Sequence, residues 1–128
     1  MFEPKVFTSY YANWRRFPET ATTISIAGKA PESYFGLEYK KLAPKWGFFN
    51  DYKSGKIDEE GYTVEYYKQV LSNLKPEVVY SELINDLGTD IILLCWEKTG
   101  SFCHRHIVAK WLQDKLNIRV EELPNKGV

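Results

Sequence analysis

The sequence has no charge imbalance: 17 Lys and Arg side chains are matched by 17 Asp and Glu. No broad positive field therefore exists to hold nucleic acid by counterion release, and such a role shrinks to a local patch from Arg15, Arg16, Lys29 and Arg105. Long apolar runs are missing too. The longest, IILLCW, falls far short of the roughly 20 residues that span a membrane. The opening MFEPKVFTSYYANWRR breaks its apolar stretch with charges and a proline and has no secretory h-region, so cytoplasmic residence without a membrane partner is expected. Cysteine is scarce, with only Cys95 and Cys103. Without a secretory leader a structural disulfide is not the first expectation; reduced thiols, a redox pair or metal ligands come before it. Repeats, low-complexity tracts and linkers are absent as well, which points to a single domain over residues 1–128.

What is present is an α/β pattern. Apolar residues make up 44% and charged residues 27%, the balance of a chain with a real core, and 16% aromatic content is high. Val6 to Tyr11 and Thr22 to Ala27 are β-branched and aromatic runs that predict strands. Pro31 to Gly61, rich in Gly, Pro and aromatic residues, predicts a long ordered loop with short helical turns, pinned by aromatic burial. From Thr63 the spacing of Tyr66, Tyr67, Val70, Leu71 and Leu74 predicts a helix, capped by Asp58 or Thr63. Pro76 suits the first turn of a second helix through Val79, Leu83 and Leu87, with Gly88 as its stop. Asp90 to Trp96 is apolar at nearly every position, as a central parallel strand covered on both faces requires. Ile107, Val108, Trp111, Leu112 and Leu116 share a helical face, Ile118 to Glu121 alternates like a short outer strand, and the tail PNKGV is expected to be loose. Strands alternating with helices argue for a small three-layer α/β sandwich with a mostly parallel sheet.

Functional groups of such a fold gather at the carboxyl ends of its strands. That edge is expected to carry Ser9, Tyr10 and Tyr11, then Gly28 and Lys29, then Cys95 to Glu97. The chemistry concentrates in CWEKTGSFCHRH, Cys95 to His106. Cys103, His104 and Arg105 open a helix whose N–H groups and dipole favour an anion, and Arg105 adds a fork of donors. The same field lowers a thiol pKa, making Cys103 a candidate nucleophile with His104, His106 or Glu97 as its acid–base partner. Each residue also has a plainer reading. Cys95 suits a core position, His106 a packing role, and Glu97 with Arg105 an ion pair tying loop to helix. Seven residues separate the cysteines, unlike the short CxxC knuckle, so no metal ligand is assigned. Lys29 follows Gly28, where a close turn would let it reach a phosphate. The aromatic loop reads mainly as packing.

The run CWEKTGSFCHRHIVAKWL resembles the signature of the DUF488 proteins, a cysteine, a glutamate two residues on, then Cys-His-Arg opening a helix. The likeness extends through FTSYYAN, SIAGKAP, the LAP of Leu42 to Pro44, and IDEEGYTVEYYKQVL. Trp96 stands where many members have tyrosine or another residue. The resemblance implies a small single-domain Rossmann-like fold and marks Cys95, Glu97, Cys103, His104 and Arg105 as motif positions. It implies no reaction and no cofactor.

Three functions follow as expectations. The first is binding of a small anionic, nucleotide-like or phosphate-bearing ligand by Cys95, Glu97, Arg105, Lys29, Ser9 and Tyr10, with Arg105→Ala removing affinity without unfolding. The second is a thiol-dependent enzyme acting on such a ligand through Cys103, with His104 or Glu97. The third is a cysteine-based redox or metal sensor. Oligomeric state and cofactor are left unspecified.

Overall fold

The computed structural model describes residues 4–16, 21–85, 89–98 and 100–123. Five strands, β1 (Val6–Tyr10), β2 (Ala21–Ser25), β3 (Leu37–Glu38), β4 (Asp90–Cys95) and β5 (Val120–Glu122), form one sheet in the order β3-β2-β4-β1-β5. Every pairing is parallel. Parallel neighbours need crossovers, and here the connections include four α-helices: α1 (Trp46–Lys53), α2 (Glu59–Gln69), α3 (Pro76–Ile84) and α4 (His104–Leu116). The result is a small Rossmann-like α/β sandwich.

β4 is central because its sequence leaves no polar face. Ile91, Ile92, Leu93, Leu94 and Cys95 are all buried, on both faces of the strand, and each large aliphatic side chain contributes about 1.5–3 kcal/mol by leaving water. Register then places the functional edge: Tyr10 stands opposite Cys95, and Ser25 opposite Leu94. β5 is short and pairs only with β1, which sets Glu122 opposite Thr8.

The helices begin where local chemistry allows. Asp58 caps α2 by accepting from the Gly61 N–H at 2.8 Å, and Pro76 occupies the first turn of α3, where its missing N–H costs nothing. Asn85 in the left-handed region ends α3; Gly88, the expected stop, and the PNKGV tail lie outside the described residues. α2 starts earlier than Thr63 because the cap is Asp58, so its buried face is Tyr62 and Tyr66, one turn apart.

One expectation is corrected. Pro31 to Gly61 is not a loop with helical turns alone: it contains the two-residue edge strand β3 and the two-turn helix α1. Phe48, Phe49 and Tyr52 occupy one side of α1 at helical spacing, and Phe48 is buried against Tyr62 and Tyr66. Pro44, Gly47 and Gly55 mask that short period in the sequence. Among the described residues no helix is long and apolar enough to cross a membrane.

Tyr66 joins this segment to the core. Its buried hydroxyl donates to the Leu42 carbonyl at 2.6 Å. Tyr66→Phe strands that carbonyl in the core and is expected to cost about 1–2 kcal/mol. Urea unfolding checks it, and an unchanged midpoint would show that the bond adds nothing.

Candidate functional site

A concave cavity of about 600 Å³ opens at the carboxyl ends of β2 and β4. Its floor is Cys95, Cys103 and His104; Ala27, Gly28 and Lys29 form one side, and Trp46, Phe49, Tyr52 and Lys53 from α1 form the other. Tyr62 and Phe102 close the back, with ring centroids 5.2 Å apart in an edge-to-face arrangement. Burial pushes the Tyr62 phenol up, as it does that of Tyr52, so both stay neutral. The charged side chains in the wall are Lys29, Lys53 and Glu97.

Trp96 is fixed at this rim rather than loose. Its indole Nε1 donates to the Lys29 carbonyl at 2.8 Å, and its ring meets Tyr11 edge-on at 5.2 Å, while 54% of the residue remains exposed. Trp46 is 74% exposed across the cavity wall. Two large, solvent-facing indoles at one concavity are unusual for core packing and well suited to a flat ring.

Cys95 and Cys103 are joined as a disulfide, with an S–S distance of 2.09 Å. The fold thus brings together the two sulfurs that the sequence left open as reduced thiols, a redox pair or metal ligands. The proximity comes from the fold: Cys95 ends β4 while Cys103 is the N-cap of α4, and the intervening loop turns back through Gly100, whose φ of 94° favours a residue without a Cβ. The Ser101 N–H closes that turn on the Lys98 carbonyl at 3.0 Å.

His104 is 5% exposed and anchored through Nε2. Nε2 donates to the Ile26 carbonyl at 2.7 Å, which leaves Nδ1 as the lone pair, 3.8 Å from Cys103 Sγ. Desolvation, aided by the nearby Arg105 and His106 charges, lowers its pKa to about 4, so the ring is neutral at physiological pH. The group orienting His104 is thus the Ile26 carbonyl. Glu97 pairs with Lys53 at 3.3 Å, in a half-exposed contact of little energetic weight. His106 is half-buried, and desolvation lowers its pKa as well.

Arg105 is where geometry departs furthest from the sequence reading. It is fully buried. Nε and NH2 fork onto the two Glu122 carboxylate oxygens at 3.0 and 2.7 Å, and NH1 donates to the Glu97 carbonyl at 2.6 Å and to Cys95 Sγ at 3.2 Å. It also lies 5.9 Å from the Tyr10 ring centroid. Its donors are spent inside the protein, so it shapes the site from beneath without lining the cavity. Ser9 and Tyr10 likewise do not line it. Ser9 is buried and donates to the Leu123 carbonyl at 2.7 Å, and Tyr10 stacks under Arg105. Lys29, Glu97, Cys95, Cys103 and His104 do meet at the cavity. Gly28 needs no special turn, since a Cβ there would meet nothing within 4 Å. Arg15 and Arg16 lie in a short 3-10 turn, Tyr11–Arg16, whose arginine side chains fall outside the described residues.

Lys53 and Glu122 are absent from the sequence reading, which favours packing for most of the aromatic loop that here walls the cavity. A helical period through Phe49, Tyr52 and Lys53 is the signal for Lys53 and that wall; Glu122 has none beyond its place on an outer strand.

A family model described as the active DUF488-N3 subclade, DUF488-N3a, matches residues 12–116, which contain every cavity-lining residue. No curated protein and no solved structure matches the chain.

Proposed function

Because the chain belongs to the DUF488 family and its motif forms the floor of an aromatic cavity carrying two lysines, we propose that it binds a small anionic, nucleotide-like ligand there. The observation that carries this reading is the pairing of the indoles of Trp46 and Trp96 with Lys29 and Lys53 around one concavity. A ring set against an indole gains dispersion and offset stacking, while a phosphate or carboxylate gains charge-assisted hydrogen bonds from the ammonium groups. Lys53 can exchange its weak, solvated pair with Glu97 for the ligand anion, which frees Glu97 to accept hydroxyl or amine donors. Arg105 serves by holding the Glu97 carbonyl and Cys95 in place. The cavity volume lies within the range of small-molecule sites. A cytoplasmic protein would meet such ligands freely.

Titration of tryptophan fluorescence with a panel of nucleoside monophosphates and their nucleosides tests the reading. At least one monophosphate should bind saturably and about tenfold or more tighter than its nucleoside, one charge-assisted contact being worth that much. Lys29→Ala should shrink that ratio, and Trp46→Ala should weaken both compounds. No saturable binding across the panel, or a ratio indifferent to Lys29→Ala and Lys53→Ala, removes the proposal.

A second reading has its own observation. Cys103 Sγ lies 3.8 Å from a neutral His104 Nδ1, a tautomer already set to take a proton once the thiol is reduced. Thiol-dependent chemistry on the bound ligand then uses Cys103 as nucleophile and His104 as base.

A further inference from the structure

We propose that the reduced Cys95 and Cys103 thiolates and His104 Nδ1 form a three-ligand site for a zinc-type divalent cation, its fourth position opening on the cavity. The three side chains are buried, and their ligating atoms lie within 4.8 Å of one another. All three line the same cavity floor. The long sequence gap between the cysteines is irrelevant once a strand end and a helix start bring them together.

Three features of the surroundings suit a metal better than inert packing. His104 Nε2 already donates to a backbone carbonyl, the outer contact that fixes the tautomer and aims the ring of a metal-bound histidine. The two cysteine Cα atoms are 7.3 Å apart, wider than the usual disulfide span of about 4.4–6.8 Å. Two thiolates sharing one zinc ion at about 2.3 Å each need sulfurs well apart, which this wider backbone spacing accommodates. Arg105 NH1 sits 3.2 Å from Cys95 Sγ. A disulfide sulfur is a weak acceptor, whereas a thiolate accepts a strong charge-assisted bond from a buried guanidinium.

The donor set selects the ion. Two sulfurs and one imidazole favour zinc-like cations over magnesium or calcium, and two thiolates neutralise a divalent charge that would otherwise be costly among buried groups. Three protein ligands leave one position for water or a ligand atom, the pattern of catalytic rather than structural zinc. Reaching this state from the disulfide takes two electrons and two protons: two thiols supply both as they become a disulfide, whereas a phosphine supplies the electrons, becoming its oxide with the oxygen of a water molecule whose protons go to the two sulfurs. Metal binding then releases the two thiol protons to solvent as the two metal–sulfur bonds form.

Cobalt(II) replaces zinc as a visible probe. Protein reduced with a phosphine, freed of metal and kept anaerobic is titrated with cobalt(II). One ion should bind per chain, giving thiolate-to-cobalt absorption in the near ultraviolet and the intense visible bands of a four-coordinate ion, both bleached by zinc. The same chain oxidised to the disulfide should show neither. Cys103→Ser and His104→Ala, checked for folding by far-ultraviolet circular dichroism, should bind about 100-fold or more weakly. Absence of thiolate-to-cobalt bands in the reduced wild type overturns the proposal. So does retention of those bands after oxidation, a comparison that needs no variant and no nucleotide and is therefore independent of the ligand-binding reading.

Discussion

Arg105→Ala is expected to lower the unfolding free energy by about 3–5 kcal/mol, because truncating one partner of a buried ion pair leaves the other charge stranded. The group that loses its two-pronged partner is Glu122, whose side chain is 19% exposed and which also accepts from Thr8 Oγ1 at 2.5 Å. The Glu97 carbonyl and Cys95 sulfur lose their donor in the same step. Removing the side chain also opens a void at a fully buried position, which adds to the cost. Arg105→Lys should recover little, since an ammonium cannot reproduce a fork onto both carboxylate oxygens while also reaching a carbonyl and a sulfur. The Glu122→Gln variant alone should cost less than Arg105→Ala, and the double variant less than the sum, because both changes break one interaction. Denaturant unfolding of the four proteins measures this coupling. A loss below about 1 kcal/mol for Arg105→Ala, within the range of a surface pair, would sink the assignment of Arg105 as a structural hub. The expectation drawn from sequence, loss of affinity without loss of stability, thus gives way to a coupled loss of both.

That reversal shows where sequence reasoning reaches its end. Helix starts at Asp58 and Pro76 and the two-faced burial of β4 depend on neighbours within a few positions, and they could be read. Convergence of Cys95, Glu97, Cys103 and His104 could be read as well, because a strand end, a short loop and a helix N-terminus leave few places for them to go. Glu122 could not. It meets Arg105 only through the parallel pairing of β5 with β1, a contact between residues far apart whose register no local period announces. Nor could the site's aromatic wall, because an exposed Trp46 and a buried Phe48 look alike in a run of aromatic residues. The sequence leaves reduced thiols, a redox pair and metal ligands open together, and only the fold shows that the two sulfurs meet. The motif marks residues that come together; only the geometry puts Arg105 beneath the cavity and Lys53 on its wall.

His104 supplies the largest expected pH effect. In the unfolded chain its imidazole titrates near the ordinary value of 6.5, whereas the folded protein resists protonation until about pH 4. Between these values the unfolded state binds more protons, so stability is full above about pH 6.5 and falls as the pH is lowered through that window. A depression of this size corresponds to a loss of roughly 3 kcal/mol by pH 4, after which this residue contributes no further change. Desolvation is the leading cause, and the positive charge of Arg105 adds to it; the Ile26 carbonyl opposes it by favouring a proton it can share. Carboxylates also titrate toward the acid end of the window, so the informative quantity is the difference between the disulfide form of the wild type and its His104→Gln variant. That difference should shrink steadily from about pH 7 to about pH 4. A flat difference, or a His104 ring titrating near 6.5 by proton NMR, would show that the imidazole is not held neutral. The consequence reaches the chemistry. A ring that stays neutral keeps its Nδ1 lone pair toward Cys103 across the physiological range, which both a general base for that thiol and a ligand for a cation require.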